Sequence, residues 1–136
     1  MRGTVILALV AVALVSCASL QAGTTSSTAL RVSYWDGGTL RDPPDRVWTL
    51  RCNPARGTLP RPARACARLT AGATRLFAPL PPGLVCTEIY GGPQLARVVG
   101  TVAGKRVWAT FSRSNGCNIS RWDRLSPWLL PPGGVT

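Results

Sequence analysis

The sequence predicts a single small α+β domain, and three features carry that expectation. Residues 94–102 and 106–111 flank Ala103-Gly104-Lys105, the best hairpin signal in the chain, so these two runs pair antiparallel. Two earlier stretches, 30–35 and 47–52, read as further strands. Pro62 then opens a helical stretch to about residue 70, in which Cys66 and Leu69 are three apart and share a face.

Taken in order, the chain begins with a leader. Arg2 is the one early charge, and the apolar run over residues 4–15 is too short to span a bilayer as a mature helix, so 1–17 is a secretion signal. It ends in Leu14-Val15-Ser16-Cys17, a run similar to the bacterial lipobox, which makes Cys17 the expected lipidation site and mature N-terminus. Ordinary cleavage after Ala18 is the other reading. Residues 18–29, uncharged and rich in Ser, Thr, Gly and Ala, form the expected flexible linker, and the domain occupies 30–136.

Within the domain, Asp36-Gly37-Gly38 closes the first strand and Pro43-Pro44-Asp45 precedes the second, whose Trp48, Leu50 and Cys52 are expected to point inward. A loop over 53–60 leads to the helix, which Gly72 ends. Pro79, Pro81, Pro82 and Gly83 allow no regular element, residues 84–90 read as short and extended, and Gly91-Gly92-Pro93 forces a bend. Asn115-Gly116 reads as a turn, and residues 122–130 as no more than a helical turn.

Composition excludes several functions. There is no histidine, and five carboxylates, Asp36, Asp42, Asp45, Glu88 and Asp123, stand apart, so no catalytic triad or acid–base pair is expected and the chain is not an enzyme. Neither a metal site nor a cofactor is expected, since no CxxC spacing is present. The net charge of +11 is read as solvated surface, with an anionic envelope or an acidic protein as the other reading; no nucleic-acid motif accompanies it. Apart from Cys17, an even set remains: Cys52, Cys66, Cys86 and Cys117. Three pairings are open, of which short loop closure favours the sequential one.

The order of several short motifs narrows this further. Cys52-Asn53-Pro54 and Cys66 flank the helix; Val85-Cys86-Thr87, Tyr90-Gly91-Gly92-Pro93-Gln94, Gly100-Thr101, Gly104, Val107, Phe111, Asn115-Gly116-Cys117 and Arg121-Trp122 follow. Over roughly residues 30–130 the chain resembles the Streptomyces subtilisin inhibitor family. The resemblance implies a five-stranded antiparallel sheet packed with two short helices, with disulfides Cys52–Cys66 and Cys86–Cys117. It further implies a protein inhibitor of serine endopeptidases, secreted or lipid-anchored, acting through a substrate-like loop. In that loop Glu88–Ile89 maps to the reactive bond, with Glu88 at the specificity position. Thr87 and Tyr90 flank that bond, while Cys86, Cys117 and Asn115 support the loop. The implied partners are a serine protease, whether subtilisin-like, trypsin-like or glutamyl-specific, and a second copy bound through the sheet face. The other reading is a non-inhibitory exported lipoprotein that binds an envelope component or a partner protein on the same scaffold.

Overall fold

Alternation along the strands decides which side of the sheet is covered. The computed structural model describes residues 27–134. The signal peptide, the Cys17 lipidation site and the linker up to residue 26 lie outside the described residues. Four strands, β1 (Ala29–Trp35), β2 (Arg46–Arg51), β3 (Leu95–Val102) and β4 (Lys105–Ser112), form one antiparallel sheet in the order β2-β1-β3-β4. On one face Leu30, Val32, Leu50, Val98, Ala109 and Phe111 are buried. The residues between them, Arg31, Thr49, Val99 and Trp108 among them, face the other way and stay at least partly exposed.

The hairpin forms as expected, with a loop of two residues. Ala103 and Gly104 both take positive φ, 48° and 78°, the primed turn whose twist matches its strands. The five-stranded sheet does not: among the described residues there are four strands, and 84–90 pairs with none. Pro81 and Pro82 lack backbone donors on one side of this segment, and Gly91-Gly92-Pro93 turns the chain away on the other. The first strand begins one residue earlier than expected, at Ala29. Thr28, at the end of the expected linker, is buried; its carbonyl accepts from Cys52 N–H and its hydroxyl from Ala103 N–H.

Helices cover the inward face. The first, α1 (Pro62–Arg68), begins at Pro62 and ends two residues short of the expected boundary. A 3-10 helix (Ala71–Phe77) then replaces the break foreseen at Gly72, because Ala73 and Phe77 are drawn into the core, Phe77 edge-on to Phe111 at 6.4 Å. The larger departure is α2 (Gly116–Leu125), a full helix where the sequence suggested a turn followed by one helical turn. Asn115 is extended at φ −158°, and it caps the helix instead of making a left-handed turn. Trp122 and Leu125 anchor α2 to the sheet; both are fully buried, and the Trp122 indole N–H donates to Pro131 O at 2.8 Å. Of the expected inward trio on β2, Leu50 is buried and Trp48 and Cys52 are partly covered.

Cys52 is bonded to Cys66 and Cys86 to Cys117. They close loops of 14 and 31 residues, which on chain-entropy grounds stabilises the fold by about 3 and about 4 kcal/mol. The first joins the end of β2 to α1. The second joins the unpaired segment to the first turn of α2.

A tethered loop as the candidate functional site

The segment between the prolines and β3 is the most exposed apolar stretch of the described chain. Val85 is 94% exposed, Ile89 63% and Tyr90 61%, and Thr87 and Glu88 are open to solvent as well. Apolar side chains gathered outside a domain along one short segment mark a surface meant to be covered. Glu88 is unpaired: the ion pairs among the described residues are Arg46–Asp36 and Arg113–Asp123.

Exposure here does not mean looseness, because the segment is fastened on both sides of Glu88–Ile89. On the N-terminal side the Cys86–Cys117 disulfide holds it to α2, and Gly116 N–H donates to Thr87 O at 3.0 Å. A Cβ at position 116 would meet Thr87 Oγ1 and force that side chain to turn, so the glycine lets the loop lie close to the helix as it stands. On the C-terminal side Gly91 and Arg113 exchange two bonds. Gly91 N–H donates to Arg113 O at 2.8 Å, and Arg113 Nε–H donates to Gly91 O at 3.0 Å.

Arg113 is the buried post of this fastening. Its side chain is only 9% exposed, lies 5.8 Å over the Trp122 ring and donates to Asp123 Oδ1 at 3.0 Å. A charge so enclosed persists only where it is paired and hydrogen-bonded, and Gly91 O supplies one of those bonds. Loop and core therefore satisfy each other. Gly91 packs so closely against Ile119 of α2 that a Cβ there would force that side chain to shift, while Gly92 takes a φ of 126°, which L side chains rarely adopt.

The predicted residues divide accordingly. Thr87, Glu88, Ile89 and Tyr90 come together at the apex, and Cys86 and Cys117 anchor it. Asn115 stands beside the anchor, but its carboxamide oxygen accepts from Asn118 N–H at 3.0 Å and from Asn118 Nδ2 at 3.1 Å. It fixes the helix start, and the neighbouring Gly116 N–H touches the loop. Sequence reasoning missed Arg113, Asp123 and Gly116. Arg113 carried a signal, since it continues the inward series Val107, Ala109, Phe111 with a charge where an apolar residue belongs.

The described residues contain no group of three or more potential metal ligands. What the arrangement offers is a strip of main chain that belongs to no strand and is held on both sides of Glu88–Ile89.

The family model described as subtilisin inhibitor-like matches residues 24–115. Subtilisin inhibitor-like protein 1 of Streptomyces cacaoi is 34% identical over 98 residues, 69% of this chain and 88% of that protein. Among solved structures, that of Streptomyces caespitosus sermetstatin in complex with Bacillus licheniformis subtilisin is similar at a TM-score of 0.47. It is 34% identical and covers 70% of this chain and 90% of the matched one.

Proposed function

Since the chain belongs to the subtilisin inhibitor-like family, we propose that this protease inhibitor, which is not an enzyme, blocks serine endopeptidases by offering Glu88–Ile89 as a substrate-like bond. The observation that carries the reading is the double fastening around that bond, by Cys86–Cys117 with Gly116 on one side and by Arg113 on the other. A segment already ordered in its bound shape loses little entropy on entering a protease cleft. Its main chain, which pairs with no strand, offers donors and acceptors to the enzyme as a substrate strand does. If the bond is cut, Cys86–Cys117 still joins the two pieces, so the new ends stay in place and religation competes with release.

Glu88 selects the target. A carboxylate entering an apolar pocket loses its hydration with no partner, whereas a pocket with cationic or hydrogen-bonding groups replaces the lost water. The preferred target is therefore a glutamyl-specific serine protease, ahead of subtilisin-like or trypsin-like enzymes. The leader over residues 1–17 and the lipobox-like run that ends in Cys17 support export, with an acyl anchor at Cys17.

The exported chain assayed against subtilisin-like, trypsin-like and glutamyl-specific proteases tests this. Tight inhibition of the glutamyl-specific enzyme is expected, with slow nicking at Glu88–Ile89 giving two pieces that separate only on reduction. Failure against every enzyme, with no protection of 87–90 on mixing, removes the inhibitory role in favour of an exported lipoprotein that binds an envelope component.

A further inference from the structure

The described residues end in Pro131-Pro132-Gly133-Gly134, a segment that forms no helix or strand and yet stays on the domain. Pro131 O accepts from the Trp122 indole N–H at 2.8 Å, and Gly134 O accepts from Gln94 Nε2 at 3.0 Å, across 40 residues of sequence. Between these two points Gly133 lies against Arg113, so closely that a Cβ there would meet Nε, Cδ and Cζ of that side chain. Each of the three residues touched belongs to the brace of the tethered loop or adjoins it. Arg113 exchanges two bonds with Gly91, and its guanidinium rests 5.8 Å over the Trp122 ring. Gln94, three residues beyond Gly91, packs its carboxamide against Gly92. All three contacts lead to the C-terminal side of the Glu88–Ile89 bond.

We propose that residues 131–134 are a clasp on the Arg113 brace, with Gly133 and Gln94 as positioning residues that set how long Glu88–Ile89 resists a bound protease; the proposal rests on the inhibitory reading. When the nucleophile of the enzyme bonds to the Glu88 carbonyl carbon, the peptide bond breaks and the proton passes to the Ile89 amine. Return of that amine restores the bond and frees the enzyme, whereas water arriving first leaves the chain cut. Ile89 is two residues from Gly91, so the hold of Arg113 on Gly91 decides where the amine sits. With the clasp shut, the Arg113 side chain is only 9% exposed, and little water competes for its bond to Gly91 O. With the clasp open, solvent reaches the guanidinium from the Gly133 side and the bond weakens. The N-terminal side of the loop is untouched, since Cys86–Cys117 and Gly116 hold it to α2. The clasp therefore acts on cleavage and not on first encounter, which uses the exposed residues 87–90. Two side-chain hydrogen bonds and two glycines make it a segment that opens at far less cost than the domain unfolds.

Two neighbouring glycines separate the clasp from general packing, because a Cβ at position 133 meets Arg113 while one at position 134 meets open space and keeps the carbonyl that Gln94 binds. Each variant of the exported chain is mixed with whichever of the subtilisin-like, trypsin-like and glutamyl-specific proteases the wild type inhibits most tightly. Gly133→Ala and Gln94→Ala should be cut at Glu88–Ile89 about tenfold faster and Gly134→Ala at the wild-type rate, all with association rates within about twofold of wild type. In an Arg113→Ala background Gly133→Ala should add nothing, since the guanidinium it displaces is gone. Hydrogen exchange at Gly91 N–H in the free protein gives a reading without any protease: faster in Gly133→Ala and Gln94→Ala, unchanged in Gly134→Ala. Thermal melts confirm that each variant is folded at the assay temperature. Equal cutting of Gly133→Ala and Gly134→Ala, or an effect of Gly133→Ala that persists without Arg113, overturns the clasp. A wild type that inhibits none of the three proteases removes the inhibitory reading instead, and exchange then decides. Faster exchange at Gly91 in the two variants keeps the clasp as a brace of the loop, and unchanged exchange overturns it.

Discussion

At the scale of single residues, Glu88 and Arg113 divide the work of the loop. Glu88 makes no recorded ion pair and stands in solvent, so changing it alters what the loop fits and not how the loop is built. Glu88→Arg is expected to move inhibition toward trypsin-like enzymes and Glu88→Met toward subtilisin-like ones. Each shift should amount to roughly two orders of magnitude or more in inhibition constant, about 3 kcal/mol, with the melting temperature unchanged. Arg113 is the converse. Arg113→Ala removes the donor to Gly91 O and a buried cation stacked on Trp122, a loss of about 1–3 kcal/mol. Inhibition should weaken, and Glu88–Ile89 should be cut faster as the inhibitor turns into a substrate. Asp123→Asn should do much less, because that carboxylate side chain is 59% exposed and keeps its partner as a hydrogen bond. Hydrolysis rate at a fixed protease concentration separates the three variants.

At the scale of elements, the two disulfides have different tasks. Cys52–Cys66 joins β2 to α1, remote in sequence from the loop, and Cys86–Cys117 joins the loop to α2. Replacing the first pair by serine should cost about 3 kcal/mol of stability and leave inhibition intact below the lowered melting point. Replacing the second should cost about 4 kcal/mol and also shorten inhibition, since no covalent bond then holds the cleaved ends of the loop beside each other. Thermal melts beside inhibition at low temperature distinguish a stability effect from a loop effect. The helix α2 matters because it brings Cys117, Gly116 and Asp123 to the loop and its Arg113 brace from about two turns of one element. Ile119, Trp122 and Leu125 recur at threes along it, a helical period written in the sequence but overshadowed by the turn-like Ser114-Asn115-Gly116.

At the scale of the whole molecule, layers separate the functions. The helical layer braces the loop, and the buried face of the sheet holds the core. A lipobox-like run, Leu14-Val15-Ser16-Cys17, precedes the domain in the sequence. If Cys17 carries an acyl anchor, Cys17→Ser should release most of the protein from the membrane fraction into the medium when cells are fractionated in high salt, which screens unspecific attraction of this basic chain. Equal retention of mutant and wild type in high salt removes the anchor.

By itself the sequence determined what depends on neighbours along the chain. The Ala103-Gly104 hairpin follows from turn residues between alternating runs, the start of α1 from Pro62, and the irregular course of 79–93 from its prolines and glycines. The order of short motifs around the cysteines was enough to point to the loop and to its Glu88–Ile89 bond. Tertiary structure alone decided what depends on partners distant in sequence. Residues 84–90 had the length of a fifth strand but found no neighbour to pair with, so their main chain stays open. The segment after Asn115 became a helix because Trp122 and Leu125 gain a core by coiling there. Arg113 became a brace because Gly91, Asp123 and Trp122, separated from it by up to 22 residues, close around one guanidinium. Turn chemistry is local and can be read from a few letters, whereas burial is a property of contacts that exist only once the chain has folded.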